Sequence, residues 1–297
     1  MSWQGQACDA LIALHARRSH ESIVRYASTK KPLIVTLTGT DLYRDLPDSA
    51  EARESLELAD RLIVLQDAAL EELAPGLQGK TRVVYQSASP GLAHRPPPTG
   101  FRIVVVAHLR AEKDPMRTAA ALARLPEAKV ELVQIGEALD ERFAREAEEW
   151  AAREPRYRWL GGMPHRSALA WMAKSHALVV SSVMEGGANV IAEAARIGTP
   201  VIASRVSGNV GMLGARYPAY YPLADDAALA ELIGRAASDR QFYRRLKSAL
   251  RERRALFAPA AERRALLRTV REALHLRSSV TRARTASLAQ SSSPKAT

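Results

Sequence analysis

The stretch ALVVSSVMEGGANVIAEAARIGTPVIAS, residues 177–204, decides the fold. A short apolar run, ALVVSS, leads into a glycine-bearing loop, then a segment with helical spacing, a GTP turn and a second apolar run. Short apolar runs bounded by turn residues read as buried strands, so the whole is a strand–helix–strand unit of a parallel sheet. Open parallel sheets bind ligands where the carboxyl ends of strands lead into helix N-termini. Glu185, Gly186, Gly187, Ala188 and Asn189 fall at such a place. Glycines let backbone N–H groups approach an anion closely, and a helix starting near Ala188 offers unpaired donors and a positive dipole end. A phosphate or diphosphate suits that position. Glu185 in the loop and Glu193, about a turn and a half into the helix, admit two readings. They accept hydroxyl hydrogen bonds on either side of a diphosphate, as in a nucleotide-sugar site. Or they are ordinary helix acids, with Glu193 paired to a neighbour such as Arg196.

Outward from this unit the same alternation continues. LIALH (11–15), PLIVTLTG (32–39), RLIVLQ (61–66) and TRVVYQ (81–86) read as strands before a break at SPGLAHRPPPTG (89–100), whose prolines and glycines suit a linker. FRIVVVAHL (101–109), KVELVQIG (129–136), YRWLGG (157–162), ALVVSS (177–182) and PVIAS (200–204) follow, with helical patterns between them. The expected architecture is α/β, with two Rossmann-like parallel-sheet domains. The first covers 1–94 and the second 95–240. Terminal helices over 241–276 are candidates to cross back to the first domain, with Phe242, Leu246, Leu250, Phe257, Leu266, Val270 and Leu274 as packing positions, and a disordered basic tail is expected over 277–297.

At 297 residues, 47% hydrophobic and 25% charged, the chain has the composition of a folded globular protein. Its net charge of +11 is concentrated after Arg244, and the tail from Ser278 contains no acid. Such a run is a solvated face, a contact with anionic lipid or a phosphate-binding surface. Aromatics are only 5% and no interleaved recognition motif accompanies the charge, so nucleic acid is not expected as a partner. The single cysteine, Cys8, excludes an internal disulfide and reads as structural. No apolar run approaches the roughly 20 residues of a membrane helix, and no signal pattern opens the chain; the expected location is cytoplasmic, without integral membrane association.

In VVVAHLRAEKDP, His108, Arg110 and Lys113 follow a strand, where cations neutralise a leaving diphosphate. HLRAEKDP and EGGANVIAE, in a chain of two α/β units, resemble the retaining GT-B glycosyltransferases, the large group that includes sucrose and glycogen synthase-like enzymes. A closer resemblance covers almost the whole chain. LIALHARRS (11–19), LTGTDLYRDL (37–46), SLELADRLIVLQ (55–66), HLRAEKDP (108–115), RYRWLGG (156–162), SSVMEGGANVIAEA (181–194) and SRVSGNVGMLG (204–214) are similar, in the same order, to the selenosugar synthases of selenoneine biosynthesis.

That resemblance implies a UDP-sugar donor, UDP-N-acetylglucosamine above all, and selenophosphate as acceptor. The products are a carbon–selenium bond at the anomeric centre, UDP and finally phosphate. It implies that Glu193 holds the ribose hydroxyls, Glu185 the hexose hydroxyls, and the backbone Gly186–Asn189 the diphosphate. Lys113 stands at the family's diphosphate-binding lysine. His108 stands where the broad family usually has an arginine, and Arg110, two places on, is the substitute. No permanently bound cofactor and no metal are expected. Chains of this kind ordinarily begin with one further βα unit ahead of CDALIALHARRS; its absence here reads as a late start or a truncation. An ordinary hexosyltransferase acting on an oxygen acceptor, and an inactive nucleotide-sugar-binding protein, are the rival expectations.

The acceptor side rests on the first domain. His15 ends a strand, either as an acid, base or acceptor ligand or as a hydrogen-bonded strand-end histidine. Arg17 and Arg18 suit an anionic acceptor through their guanidinium forks, or are surface arginines. Gly39 and Thr40 make a tight turn at a strand end, and Asp41 orients a sugar hydroxyl or caps a helix. Gly208 and Asn209 belong to the donor pocket, or Asn209 only stabilises its loop.

Overall fold

The computed structural model describes residues 3–126 and 128–291. It divides into two units, one running to Val84 and resuming at Arg263, the other spanning Tyr85–Glu262.

The first unit is built on a four-stranded parallel sheet of β1 (Leu11–Leu14), β2 (Leu33–Thr36), β3 (Arg61–Val64) and β4 (Thr81–Val83), which lie side by side in sequence order. All four residues of β2 are buried, as expected of a strand covered on both faces. Leu33 and Val35 pack with Ile23, Tyr26, Leu56 and Leu62 on one side. Ile34 and Ile63 pack on the other with Val84, Leu266, Val270 and Ala273. That second face is covered by the helix Pro259–Ser291, whose residues 266, 270 and 273 step by four and three. Ala273 is therefore the buried position and Leu274, expected to pack, is 39% exposed. Glu272 on this helix accepts from Arg61 Nε at 3.0 Å and Arg82 Nε at 2.8 Å, and Arg277 Nε donates to Asp60 at 2.9 Å. The expected disordered tail over 277–297 is helical as far as Ser291, because no glycine or proline interrupts the sequence between Pro259 and Pro294; residues 292–297 of that tail lie outside the described residues.

The second unit is a six-stranded parallel sheet of β5 (Phe101–Val106), β6 (Val130–Ile135), β7 (Tyr157–Trp159), β8 (Ala177–Val180), β9 (Val201–Ser204) and β10 (Tyr220–Tyr221), in the order β10-β9-β8-β5-β6-β7. The chain leaves β5 in one direction through β6 and β7, then returns to build β8, β9 and β10 on the other side. Strand order thus reverses between β5 and β8. Residues Ala177–Val180 and Val201–Ser204 are wholly buried, and the helix Asn189–Ile197 between them presents Ile191, Ala192, Ala194 and Ala195 to the same core. Burying a large aliphatic side chain contributes about 1.5–3 kcal/mol. The GTP turn ends this helix with Gly198 at φ +99°, its N–H donating to Ala194 O at 2.7 Å, a left-handed cap that glycine adopts without strain.

The linker expected over 89–100 forms neither helix nor strand, yet it is tied to the second unit. Arg95 N donates to Ala173 O at 2.8 Å and His94 N to Ile197 O at 3.3 Å. The Tyr85 ring meets Phe257 edge-on at 5.7 Å, and its hydroxyl donates to Gly211 O at 3.2 Å. These bonds move the boundary between units from the expected 94/95 to 84/85.

Burial lowers the pKa of His94 from its ordinary 6.5 to about 4. The unfolded chain therefore takes up a proton at higher pH than the folded one. The stability held by neutral His94 is complete above pH 6.5 and is lost as pH falls toward 4, an effect on the order of 2 kcal/mol at pH 4.5. His94→Gln, which keeps an N–H for Ser175 O, is expected to flatten the decline of the urea midpoint between pH 7 and 4.5. Parallel declines in variant and wild type would refute this.

Candidate active site at the switch of strand order

The loops after β5 and β8 meet where the strand order reverses. Leaving β5, the chain runs through Ala107 and His108 against the end of β6. Gly136 stands there at φ +148°, and a Cβ on it would lie 1.9 Å from Ala107 O. His108 is exposed, and its Nδ1 accepts from Glu137 N at 3.2 Å. Arg110 is exposed, with Glu112 a loose 3.9 Å away. A 3₁₀ turn, Ala111–Lys113, then carries Lys113 toward the second loop.

The two loops are laced together. Val183 N donates to Glu112 O at 3.0 Å, and Ser181 Oγ to Lys113 O at 2.7 Å. With the backbones so fixed, the Lys113 ammonium meets Glu185 Oε1 in an ion pair. Ser182 Oγ donates to the same carboxylate oxygen at 2.6 Å. A third strand end braces this pair, since Ser204 Oγ at the end of β9 donates to Ser182 O at 2.6 Å. Asn209, fully buried, donates through Nδ2 to Ser204 O at 3.0 Å and Ser204 Oγ at 3.1 Å. Asn209 thus holds the loop instead of lining a pocket. Gly208 explains itself by contact, because a Cβ there would lie 1.8 Å from Glu185 O.

Gly186, Gly187 and Ala188 lie in the loop and the helix opens at Asn189. Ala188 has no side chain that could cap it, which leaves first-turn N–H groups for a ligand. Glu193 is 15% exposed and its Oε1 lies 2.6 Å from Nε2 of His165, itself 71% exposed. The alternative pairing with Arg196 is not what this carboxylate makes. Glu193 and Asn189 line a cavity of about 590 Å³ together with His165, Arg166 and the Ser87–Leu92 segment. The two glutamates therefore occupy different surroundings, Glu185 sealed against Lys113 and Ser182 and Glu193 on a cavity wall.

In the first unit, the structure gathers most of the residues singled out for the acceptor. His15 ends β1 at φ +72°. Its Nδ1 is in close contact with the Asp41 carboxyl, and its Nε2 lies 3.1 Å from Thr40 Oγ1 and 3.5 Å from Asp45 Oδ2. Arg17 Nε lies 3.2 Å from Asp45 Oδ2, while Arg18 joins only through its backbone N–H, which donates to His15 Nδ1 at 3.3 Å. In place of the expected tight turn, Gly39 and Thr40 are already helical, Thr40 at φ −69° and ψ −35°, and run straight into the π-helical segment Asp41–Asp45. Asp41 is 0% exposed and accepts from Thr38 N at 2.8 Å and Thr38 Oγ1 at 3.0 Å. Neither expectation for Asp41 describes it: the carboxylate holds Thr38 and His15 in place of a sugar hydroxyl or a helix cap. Burial raises the Asp41 pKa, against the Thr38 bonds and His15; burial lowers that of His15, against Asp41. His15, Asp41 and Asp45 bring one donor atom each within 4.8 Å of one another, a spacing a cation can bridge, although Arg17 already supplies Asp45 with positive charge.

Sequence reasoning missed Asp45, Ser182, Ser204, His165 and Arg166. Asp45 had a signal in its four-residue spacing from Asp41, and the serines in their place at strand ends.

The lysine–glutamate pair and the glycine loop stand at the switch of strand order, the place where open α/β sheets bind their ligands. Residues 93–253, more than half of the chain, match the family described as Glycosyl transferases group 1, and the chain belongs to that family. It is a glycosyltransferase of the GT-B fold. Among solved structures it is similar to HepE of Anabaena in complex with UDP and glucose, with a TM-score of 0.71 at 19% identity over 88% of this chain and 77% of that one. It is similar to sucrose-phosphate synthase from Thermosynechococcus elongatus, with a TM-score of 0.69 at 21% identity over 94% and 74%. The UDP-forming α,α-trehalose-phosphate synthase from Burkholderia vietnamiensis gives 0.69 at 15% identity over 88% and 73%. No helix among the described residues is long and apolar enough to cross a membrane.

Proposed function

We infer that this chain transfers a hexosyl group from a UDP-sugar, UDP-N-acetylglucosamine being the expected donor, to selenophosphate. The observation that carries the donor half is the Lys113–Glu185 pair, laced between two loops at the switch of strand order beside an uncapped helix start. On this reading the diphosphate lies along Gly186–Asn189 and draws the Lys113 ammonium, releasing Glu185 to accept from hexose hydroxyls. Glu193 takes the ribose hydroxyls, which displace the exposed His165 from its carboxylate. Arg110 adds positive potential at the same strand end, and His108 offers its imidazole Nε2 there as a hydrogen-bonding group. No metal is required, because a cation and helix N–H groups meet the charge developing on the leaving UDP.

The acceptor half is supported by the order of sequence blocks shared with selenosugar synthases and by the basic residues Arg17 and Arg18. Selenium attacks the anomeric carbon. The C1–Se bond forms, the C1–O bond to the diphosphate breaks with its electrons going to UDP, and water then cleaves the Se–P bond to release phosphate. Selenium is polarizable enough to act without a strong protein base.

The test is UDP release from UDP-N-acetylglucosamine with and without selenophosphate, for the wild type and for Glu193→Ala. Release is expected to depend on selenophosphate, and Glu193→Ala to raise KM for the donor about 10- to 100-fold through the lost charged hydrogen bonds. Release that ignores selenophosphate but follows an added hydroxyl acceptor would replace the acceptor reading with ordinary hexosyl transfer. UDP-sugar binding without turnover would mean a binding protein.

A further inference from the structure

The Glu185 carboxylate has two partners, and both hold the same oxygen. The Lys113 ammonium and Ser182 Oγ bind Oε1. No described residue is hydrogen-bonded to Oε2, and the side chain stays 10% exposed, so Oε2 is the oxygen left for a ligand. An ionised carboxylate only accepts, which fixes the Ser182 hydroxyl proton on Oε1 at 2.6 Å.

Ser182 is itself held from behind. Asn209 Nδ2 donates to Ser204 Oγ at 3.1 Å, which leaves the Ser204 hydroxyl proton for Ser182 O at 2.6 Å. Ser182, Ser204 and Asn209 are 2%, 0% and 0% exposed, so water does not compete for these bonds. The two serines beside Ser182 in this network turn their hydroxyls onto backbone, Ser181 onto Lys113 O and Ser204 onto Ser182 O, as loop-tying residues do. Ser182 instead turns its hydroxyl onto the tip of a side chain that opens to the surface. Backbone tying therefore accounts for Ser181 and Ser204 and leaves the Ser182 hydroxyl unexplained.

We propose that Ser182 is a positioning residue for the donor sugar: once Lys113 has moved to the diphosphate, the Ser182 hydroxyl alone holds Glu185 Oε1 and keeps Oε2 presented to a hexose hydroxyl. This rests on the donor reading of Glu185 given above. A glutamate with no partner samples several rotamers, and ordering such a side chain at the moment of binding lowers affinity. Ser182 removes that cost in advance, because its bond to the carboxylate survives the departure of the lysine. The consequence is selective. A nucleoside diphosphate without its sugar has no hydroxyl for Oε2, so the Ser182 hydroxyl bears on the sugar and much less on the diphosphate.

The experiment titrates the full chain at pH 7 with UDP and with UDP-N-acetylglucosamine by calorimetry, for the wild type, Ser182→Ala, Ser204→Ala and Glu185→Gln. The quantity read is the affinity for the UDP-sugar relative to that for UDP. Ser182→Ala is expected to lower this ratio about tenfold, the worth of one hydrogen bond to a charged group. Ser204→Ala leaves the Ser182 hydroxyl present but unbraced and is expected to lower the ratio by a smaller factor, about threefold; it carries the test if Ser182→Ala shows no cooperative melting. A Ser182→Ala chain that loses affinity for both ligands by one factor, or for neither, while Glu185→Gln lowers the ratio, overturns the positioning role and leaves the donor reading of Glu185 intact. A ratio unmoved by Glu185→Gln overturns that reading and the role of Ser182 with it.

Discussion

Lys113→Ala is expected to lower kcat for UDP-sugar turnover by about 10²–10³-fold, the largest effect foreseen for a single side chain here. The magnitude is that of removing one preorganised group that meets charge developing in a transition state, roughly 2.7–4 kcal/mol. Lys113 qualifies as preorganised because its backbone is held on both sides, with Glu112 O accepting from Val183 and its own carbonyl accepting from Ser181. Truncation also leaves Glu185 as a half-sealed carboxylate with only Ser182 Oγ to satisfy it. Lys113→Arg and the double variant Lys113→Ala/Glu185→Gln separate the two consequences. Arginine keeps the charge and should recover part of kcat. The double variant relieves the unpaired carboxylate and should recover stability without recovering rate. If Lys113→Ala kept more than a tenth of wild-type kcat, the lysine would be a partner of Glu185 and nothing more.

Central strands were legible because a parallel sheet covered on both faces demands continuous apolar runs such as IVVV and ALVV; edge strands such as Tyr157–Trp159 and Thr81–Val83 were legible from β-rich residues bounded by turn signals, and among the ten strands of the described residues one gave no signal. The tenth, Tyr220–Tyr221, has two residues in a proline-rich context and pairs at the edge of β9, too short for any periodicity to register. The glycine loop and its glutamates were legible for a related reason: strand, loop and helix follow one another in sequence, so their chemistry is local. What stayed hidden is what tertiary packing joins. Nothing local links Ser204 to Ser182 or His165 to Glu193: the first pair meets because β9 lies beside β8, the second because the helix His165–Ala173 packs against Asn189–Ile197. Asp41 shows the same limit in the other direction. Its place after TGT suggests a surface carboxylate, and only packing reveals that the side chain is buried on His15.

Gly208→Ala should be among the most damaging conservative changes in the second unit, beside Gly136→Ala. A methyl group there would lie 1.8 Å from Glu185 O, 2.5 Å from its carbonyl carbon and 2.7 Å from its Cβ. All three belong to the loop backbone or its immediate root, so no side-chain rotation relieves the clash. Either the helix Ser207–Leu213 or the Glu185 loop must move by more than about 1 Å, and a misplacement of that size typically costs about 10²-fold in rate. The helix cannot retreat freely, since Asn209, next in sequence, is tied to Ser204 and buried. The loop therefore gives way, which pulls Glu185 from Lys113 and disturbs the helix start at Asn189. Overpacking adds a stability loss of about 1–3 kcal/mol. Gly234→Ala is the matched control. It lies within the helix Asp226–Ser238, where an added Cβ meets only Leu125 Cδ2 at 3.4 Å. There the gain in helix propensity, roughly 0.5–1 kcal/mol, should leave stability equal or improved and kcat/KM unchanged. Calorimetric melting and kcat/KM on both variants decide the matter: a Gly208→Ala enzyme that melts and turns over like Gly234→Ala would mean that the Glu185 loop is not fixed in place by this contact.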